Sequence, residues 1–86
     1  MTPAWDEKGS KGDTFMEVYA EELSKAVAAH PEDYGYGPDL VPVVVQRMRA
    51  AFSRRSYNKD SRAIKATCKR LGIGSTYKAI NAYLEG

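Results

Sequence analysis

The chain has 86 residues, of which 43% are hydrophobic, and a formal net charge of +2. This length supports one domain with one small core. The sequence has no apolar run near the roughly 20 residues that cross a bilayer, and its N-terminus lacks an apolar stretch like that of a signal peptide. We therefore expect a cytoplasmic protein without a membrane-spanning segment.

The chain contains one cysteine, Cys68, and one histidine, His30. One cysteine excludes an internal disulfide, and one cysteine with one histidine cannot complete a tetrahedral zinc site in a monomer. The sequence has no glycine-rich phosphate loop and no nucleophile beside a base. We therefore predict neither a metal or other cofactor nor an enzymatic activity.

The charges are distributed unevenly along the chain. Residues 1 to 46 carry three basic and nine acidic residues, whereas residues 47 to 86 carry ten basic and two acidic residues. This asymmetry has two interpretations, which both stay open at this point. A basic surface in the second half can bind phosphates, or the two halves simply attract each other in the folded protein.

The first 13 residues are rich in glycine, proline, serine and charge, and they include the only tryptophan, Trp5. This composition is typical of a flexible tail, so we assign residues 14 to 86 to a single domain. Thr14 and Glu17 have the spacing of a capping box. The apolar residues that follow recur at helical spacing to about residue 29, which predicts a helix that ends before Pro31.

Residues 31 to 38 form a loop by composition, and its tyrosines, Tyr34 and Tyr36, are expected to pack on the core rather than contact a ligand. Asp39 is a candidate N-cap of the next helix, with Pro42 in its first turn. Residues 41 to 52 have an apolar face at helical spacing. We predict a helix there, although three consecutive valines also favour a strand.

Residues 58 to 85 predict two short helices joined by a turn, similar to a helix-turn-helix unit. The first helix has an apolar stripe at Ile64, Cys68 and Leu71, and Gly72 follows as a left-handed C-cap. Cys68 is expected to act as a small apolar side chain in this stripe. Three residues are candidate N-caps of the first helix: Asn58, Asp60 and Ser61.

The second helix of this unit is expected to start with Ser75 as its N-cap. Its buried face is predicted to contain Tyr77, Ile80 and Leu84. Together the elements predict an all-α fold, a small bundle of about four helices with a helix-turn-helix-like C-terminal hairpin. The predicted core consists of Phe15, Val18, Tyr19, Leu23, Val27, Val44, Val45, Met48, Phe52, Ile64, Cys68, Leu71, Tyr77, Ile80 and Leu84.

The run YNKDSRAIKATCKRLGI at residues 57 to 73, followed by TYKAI at 76 to 80, resembles a family of small bacteriophage- and prophage-encoded proteins without an established activity. The stretches HPEDYGYG and VPVVVQRM fit the same family, so the resemblance covers about residues 14 to 85. It implies a bacterial cytoplasm during infection and an action on host or phage macromolecules. Cys68 and Gly72 also match the spacing of helix-turn-helix regulators, whereas Tyr77 and Ile80 stand about one position earlier than the buried residues of such regulators.

We predict that the basic second half binds nucleic acid, expected to be DNA, through phosphate contacts. A monomer of this size is expected to need a homodimer or a second bound protein to select one site. The alternative is a host-directed protein-binding inhibitor, such as an anti-CRISPR or other anti-defence protein. The candidate nucleic-acid contacts are Arg54, Arg55, Lys59, Arg62, Lys65, Lys69, Arg70, Ser75, Thr76, Lys78 and Asn81.

Overall fold

The computed structural model describes residues 10 to 54 and 56 to 85, without the side chain of Ser53. Within these ranges the chain forms helices and no strand, which confirms the predicted all-α fold. The same ranges contain no helix with the length and hydropathy needed to cross a bilayer. The helices are α1 (Lys11–Ala29), α2 (Pro31–Tyr34), α3 (Val41–Ser53), α4 (Arg62–Leu71) and α5 (Tyr77–Glu85), with a 3₁₀ turn at Pro38–Leu40.

Helix α1 begins three residues before the predicted start at Thr14. Ser10 is its N-cap, because the Ser10 Oγ accepts the backbone N–H of Asp13 at 3.2 Å. Thr14 already lies inside the helix, and its hydroxyl donates to the Ser10 carbonyl at 3.1 Å. The predicted capping box at Thr14 and Glu17 was therefore wrong, because an earlier serine caps the helix.

Residues 11 to 13, which we assigned to the tail, are consequently helical. Gly12 is buried in the first turn of α1, and this burial offsets the low helix propensity that made the segment look like a tail. Residues 1 to 9, including Trp5, lie outside the described residues.

Helix α1 is the centre of the fold, since α2, α3, α4 and α5 all contact it. The Phe15 ring on α1 meets the Phe52 ring on α3 nearly edge-on, with 5.1 Å between the ring centroids. The helix ends at Ala29, as Pro31 predicted, and the His30 N–H donates to the Ala26 carbonyl at 2.8 Å. The buried apolar face of α1 comprises Phe15, Met16, Tyr19, Leu23, Ala26 and Val27.

The observed core contains most of the predicted residues, with several differences in composition. Val18, Val44, Val45, Met48 and Leu71 are only partly buried. Tyr77 is exposed, so its assignment to the core was wrong. Six residues with buried side chains were missed: Met16, Ala26, Val41, Tyr57, Ala63 and Thr67.

Helix α3 forms where the apolar face predicted it, with Val41 and Phe52 buried near its two ends. The predicted N-cap at Asp39 was wrong. Leu40 holds the N-cap position in a right-handed helical conformation, and no side chain caps this end. The 3₁₀ turn at Pro38–Leu40 continues directly into α3, which removes the need for an extended capping residue. Pro42 lies in the first turn, as predicted.

Tyr34 and Tyr36 pack against the core, as predicted, and their rings meet at 71° with centroids 5.9 Å apart. They lie near Tyr19 of α1, which is almost fully buried. Burial raises the pKa of the Tyr19 hydroxyl to about 12, and Tyr36 and Tyr34 add smaller contributions in the same direction. The loop tyrosines thus help to close the core over Tyr19.

We expect one tyrosine of the native protein to ionise near pH 12, and this step to be absent in Tyr19→Phe. Because the folded-state pKa exceeds the ordinary value of 10.0, folding favours the protonated phenol. The stability from this group is therefore complete below pH 10 and falls as the pH rises from about 10 to 12. Tyrosinate absorbance measures the ionisation, and urea denaturation at several pH values measures the stability. An unchanged alkaline titration in Tyr19→Phe would contradict the assignment.

Candidate nucleic-acid interface

Helix α4 has a defined cap at each end. Of the three candidate N-caps, Ser61 is the one used, and its Oγ accepts the backbone N–H of Ile64 at 3.2 Å. At the other end Gly72 adopts a φ of 72°, as predicted for a left-handed C-cap. The N–H of Ile73 then donates to the Cys68 carbonyl at 3.0 Å. These caps fix the two ends of α4.

One face of α4 is buried and packs on α1. The Thr67 hydroxyl within this face is fully buried and donates to the Ala63 carbonyl at 2.7 Å, so its polarity is satisfied inside the helix. The predicted apolar stripe is confirmed at Ile64 and Cys68, while Leu71 is half-buried. The buried face comprises Ala63, Ile64, Thr67 and Cys68.

Helix α5 starts one residue later than predicted. Thr76 is the cap, because its Oγ1 accepts the Ala79 N–H at 3.1 Å and its carbonyl accepts the Ile80 N–H at 3.0 Å. The predicted cap at Ser75 was wrong, since that residue lies one position before the first helical hydrogen bond. Three residues, 73 to 75, therefore separate the C-cap of α4 from the cap of α5.

Two of the candidate cations on α4 pair with acids of the first half of the chain. Arg70 Nη1 lies 2.7 Å from Glu21 Oε2 and 3.4 Å from Glu22 Oε1. Hydrogen bonding to Glu21 raises the pKa of the Arg70 guanidinium. Arg62 Nη1 lies 3.5 Å from Asp33 Oδ2. The attraction between the two halves is thus present in the structure, and it reduces the positive charge available at these two arginines.

Lysines supply the positive charge that remains on this surface. Lys65, Lys69 and Lys78 are exposed, and none of them forms an ion pair with a described residue. Lys65 and Lys69 lie one helical turn apart on the outer face of α4. Residues 61 to 84 contain five basic residues and no acidic one. The outer face of α4 and the start of α5, called here the α4–α5 surface, therefore carry an excess of positive charge.

The other candidate contacts occupy varied surroundings. Arg54 and Ser75 are exposed, and Arg55 lies outside the described residues. Lys59 Nζ lies 3.1 Å from Asp60 Oδ1, so its charge is shared with a neighbouring carboxylate. Asn81 is half-buried, and its Oδ1 accepts the hydroxyl hydrogen of Tyr57 at 3.2 Å. Asn81 thus joins α5 to the segment that precedes α4.

Two tyrosines lie near this surface: Tyr57 was missed as a core residue, and Tyr77 was wrongly assigned to the core. Tyr57 is buried and packs on Phe52, with 4.3 Å between the ring centroids, although it lies in a polar segment. Tyr77 is 44% exposed, and its hydroxyl donates to the Tyr57 carbonyl at 3.0 Å. The available signal was that Tyr57 is the one large apolar side chain between Phe52 and Ile64. Tyr57 fills the space that periodicity had assigned to Tyr77.

An exposed cluster of possible metal ligands lies at the end of α1. Ligand atoms of His30, Glu32 and Asp33 all lie within 4.8 Å of one another. Their proximity follows from the turn into α2, where Pro31 is the first residue and the acids lie in the first turn. Asp33 is already paired with Arg62, so the cluster is explained by local helix structure and ion pairing.

An open apolar groove of about 380 Å³ lies between α1 and the start of α3. Two large apolar side chains of the same segment, Leu40 and Val43, are 47% and 49% exposed. Exposed apolar side chains beside an apolar groove can contact another protein. The groove is lined by Ala20, Ser24, Pro38, Val41, Pro42, Val45 and Gln46.

Comparisons with known proteins do not assign a family to the chain. No protein-family model, curated protein or solved structure matches it. The charges, exposure and contacts of the described residues are therefore the features that indicate a function.

Proposed function

We propose that this protein binds nucleic acid, with DNA as the expected polymer, through the outer face of α4 and the start of α5. The observation that carries the proposal is the position of Lys65 and Lys69. They are exposed one turn apart, form no ion pair with any described residue, and lie on a helix whose opposite face is buried on α1. Two fixed cations on a rigid helix can contact successive phosphates without opening the fold.

The chemistry of such a surface favours phosphate contacts over base recognition. Each lysine that neutralises a phosphate releases condensed counterions, which gives affinity that falls steeply with salt. Lys78 adds a third free cation at the start of α5. Arg62 and Arg70 can exchange their exposed partners, Asp33 and Glu21, for phosphates. Base recognition needs donors and acceptors on the outer face of α5, and the exposed residues there include Ala82.

In the wider proposal the protein is a phage-type accessory protein that acts in the cytoplasm of a bacterial host. This context is what the resemblance of residues 57 to 80 to phage-encoded proteins implies. A homodimer would place two α4–α5 surfaces along one polymer and double the number of phosphate contacts. Sedimentation of the free and the bound protein measures that oligomeric state directly.

Lys65→Glu/Lys69→Glu is expected to weaken binding to a labelled random duplex and to single-stranded DNA. Loss of two phosphate contacts should reduce the slope of log K against log salt by about two units. Affinity at low salt should fall at least about tenfold, since each lysine is replaced by a repelling charge. Fluorescence anisotropy across a salt series measures both quantities.

Lys11→Glu/Arg47→Glu is the matched control, because it makes the same change in net charge at exposed positions on α1 and α3. If binding depends on the α4–α5 surface, this control should retain most of the affinity. It should also retain nearly the full slope of log K against log salt. Equal losses in the two double variants would show a general charge effect and contradict the proposed interface. Absence of binding to either polymer at low salt would reject the function.

The exposed apolar surface at the start of α3 supports a second candidate function, the binding of a protein partner. Leu40 and Val43 offer the side chains that such a partner would cover. This surface lies on a different element from Lys65 and Lys69, so the two functions can be separated. A host-directed inhibitor would lose its activity in Leu40→Glu/Val43→Glu and retain it in Lys65→Glu/Lys69→Glu.

A further inference from the structure

The side chain of Tyr77 occupies an unusual position for an aromatic residue in a small domain. Tyr77 is the first residue of α5 and is 44% exposed. A small domain normally buries its aromatic side chains to complete the core. Ile80 and Leu84 bury the inner face of α5 without it. The exposed ring is therefore not required to close the core.

The ring of Tyr77 is held in a fixed orientation. Its hydroxyl donates to the Tyr57 carbonyl at 3.0 Å, and its ring meets the Tyr57 ring at 66° with centroids 5.3 Å apart. Tyr57 is itself buried and is fixed by its packing on Phe52 and its hydrogen bond to Asn81. A ring supported in this way loses little conformational entropy when a ligand stacks on it.

One cation lies over this ring, and a second follows it in the chain. Lys59 Nζ lies 5.7 Å from the Tyr77 ring centroid, close to the limit of a cation–π contact. Lys78 follows Tyr77 in the chain, and it is exposed without an ion pair to any described residue. An oriented aromatic face with flanking cations is the combination that single-stranded nucleic acids require, since bases stack on the ring while phosphates meet the charges.

We propose that an unpaired base stacks on the ring of Tyr77, which thus serves as a stacking platform. The ligand of the α4–α5 surface is then single-stranded nucleic acid. This inference rests on the proposed function and specifies its substrate. A stacked base displaces the Lys59 ammonium from the ring face, and the flexible Lys59 side chain then reaches the attached phosphate. Lys78 contacts a neighbouring phosphate, and Lys65 and Lys69 hold the strand further along α4. A duplex cannot use the platform, because the faces of its bases are covered by their neighbours.

The test compares oligonucleotides with the same phosphates but with or without bases. A labelled oligothymidylate of about 12 nucleotides covers the size of a typical single-strand site, and an abasic oligomer of equal length is its control. The wild-type protein is expected to prefer the oligothymidylate by about 5- to 150-fold, the range that one stacked base provides. Anisotropy at fixed low salt measures both dissociation constants.

Tyr77→Ala is expected to remove most of this preference and to leave the affinity for the abasic oligomer nearly unchanged. Tyr77→Phe keeps the ring and removes only the hydroxyl, so it should retain most of the preference. The pair of variants separates stacking from the hydrogen bond to Tyr57. Circular dichroism of both variants shows whether α5 is retained.

Three results would overturn the inference, and they differ from failure of the proposed function. Equal wild-type affinity for the two oligomers would exclude stacking while leaving the phosphate contacts in place, and this comparison needs no variant to fold. A preference that survives in Tyr77→Ala would place the base elsewhere. A preference lost equally in Tyr77→Phe would assign the effect to the hydroxyl. Absence of binding to both oligomers would reject the proposed function itself.

Discussion

Phe15→Ala is expected to lower the free energy of unfolding by about 3–5 kcal/mol, the usual cost of truncating a buried aromatic side chain. Phe15 is fully buried on α1. Its ring contacts Phe52 of α3, with 5.1 Å between centroids, and Tyr83 of α5, with 6.4 Å between centroids. Because α1 joins the other helices, the cavity left by this change weakens several helix contacts at once. Urea denaturation followed by helical circular dichroism measures the loss.

Two further variants make the measurement interpretable. Val43→Ala removes an apolar side chain that is half-exposed on α3, and it should change the stability by no more than about 0.5 kcal/mol. Phe15→Leu keeps most of the side-chain volume and should remain folded if Phe15→Ala does not. A loss below 1 kcal/mol in Phe15→Ala would contradict the central position that the structure gives to α1.

The helices were largely predictable from sequence because their apolar periodicity is local information. The α4 stripe at Ile64 and Cys68, the left-handed Gly72 and the stop before Pro31 each depend on a few neighbouring residues. The caps were less predictable, since several serine, threonine and aspartate residues can serve at each helix start. Ser10 and Thr76 were selected by where the helices pack, which sequence spacing does not contain.

The candidate site was predictable as a set of basic residues but not in its internal organisation. From the sequence, Arg70 and Lys69 were both candidate phosphate contacts on the same helix. In the structure Arg70 pairs with Glu21, whereas Lys69 forms no ion pair with a described residue. That difference arises from how α4 rotates against α1, a tertiary property. The exposure of Tyr77 depends in the same way on Tyr57, which lies 20 residues earlier in the chain.

Cys68 provides the second large expected effect, a slow reaction with thiol reagents in the native protein. Its side chain is 1% exposed in the face of α4 that packs on α1. Burial also raises the pKa of the Cys68 thiol above its ordinary value of 9.0, which lowers the fraction of reactive thiolate. We expect modification of the native protein to be at least about 100-fold slower than modification of the unfolded chain, because reaction requires opening of the α1–α4 contact. Absorbance after addition of an aromatic disulfide reagent measures the rate with and without denaturant.

The same reaction reports whether other variants act through folding or through binding. Phe15→Ala should accelerate modification of Cys68, since it raises the population of opened molecules. Lys65→Glu/Lys69→Glu should leave the rate nearly unchanged, because both lysines lie on the exposed face of α4. Rapid modification of the native wild-type protein would contradict the packing of α4 on α1. A loss of nucleic-acid binding with a slow Cys68 reaction would instead locate the defect at the cationic surface of an intact fold.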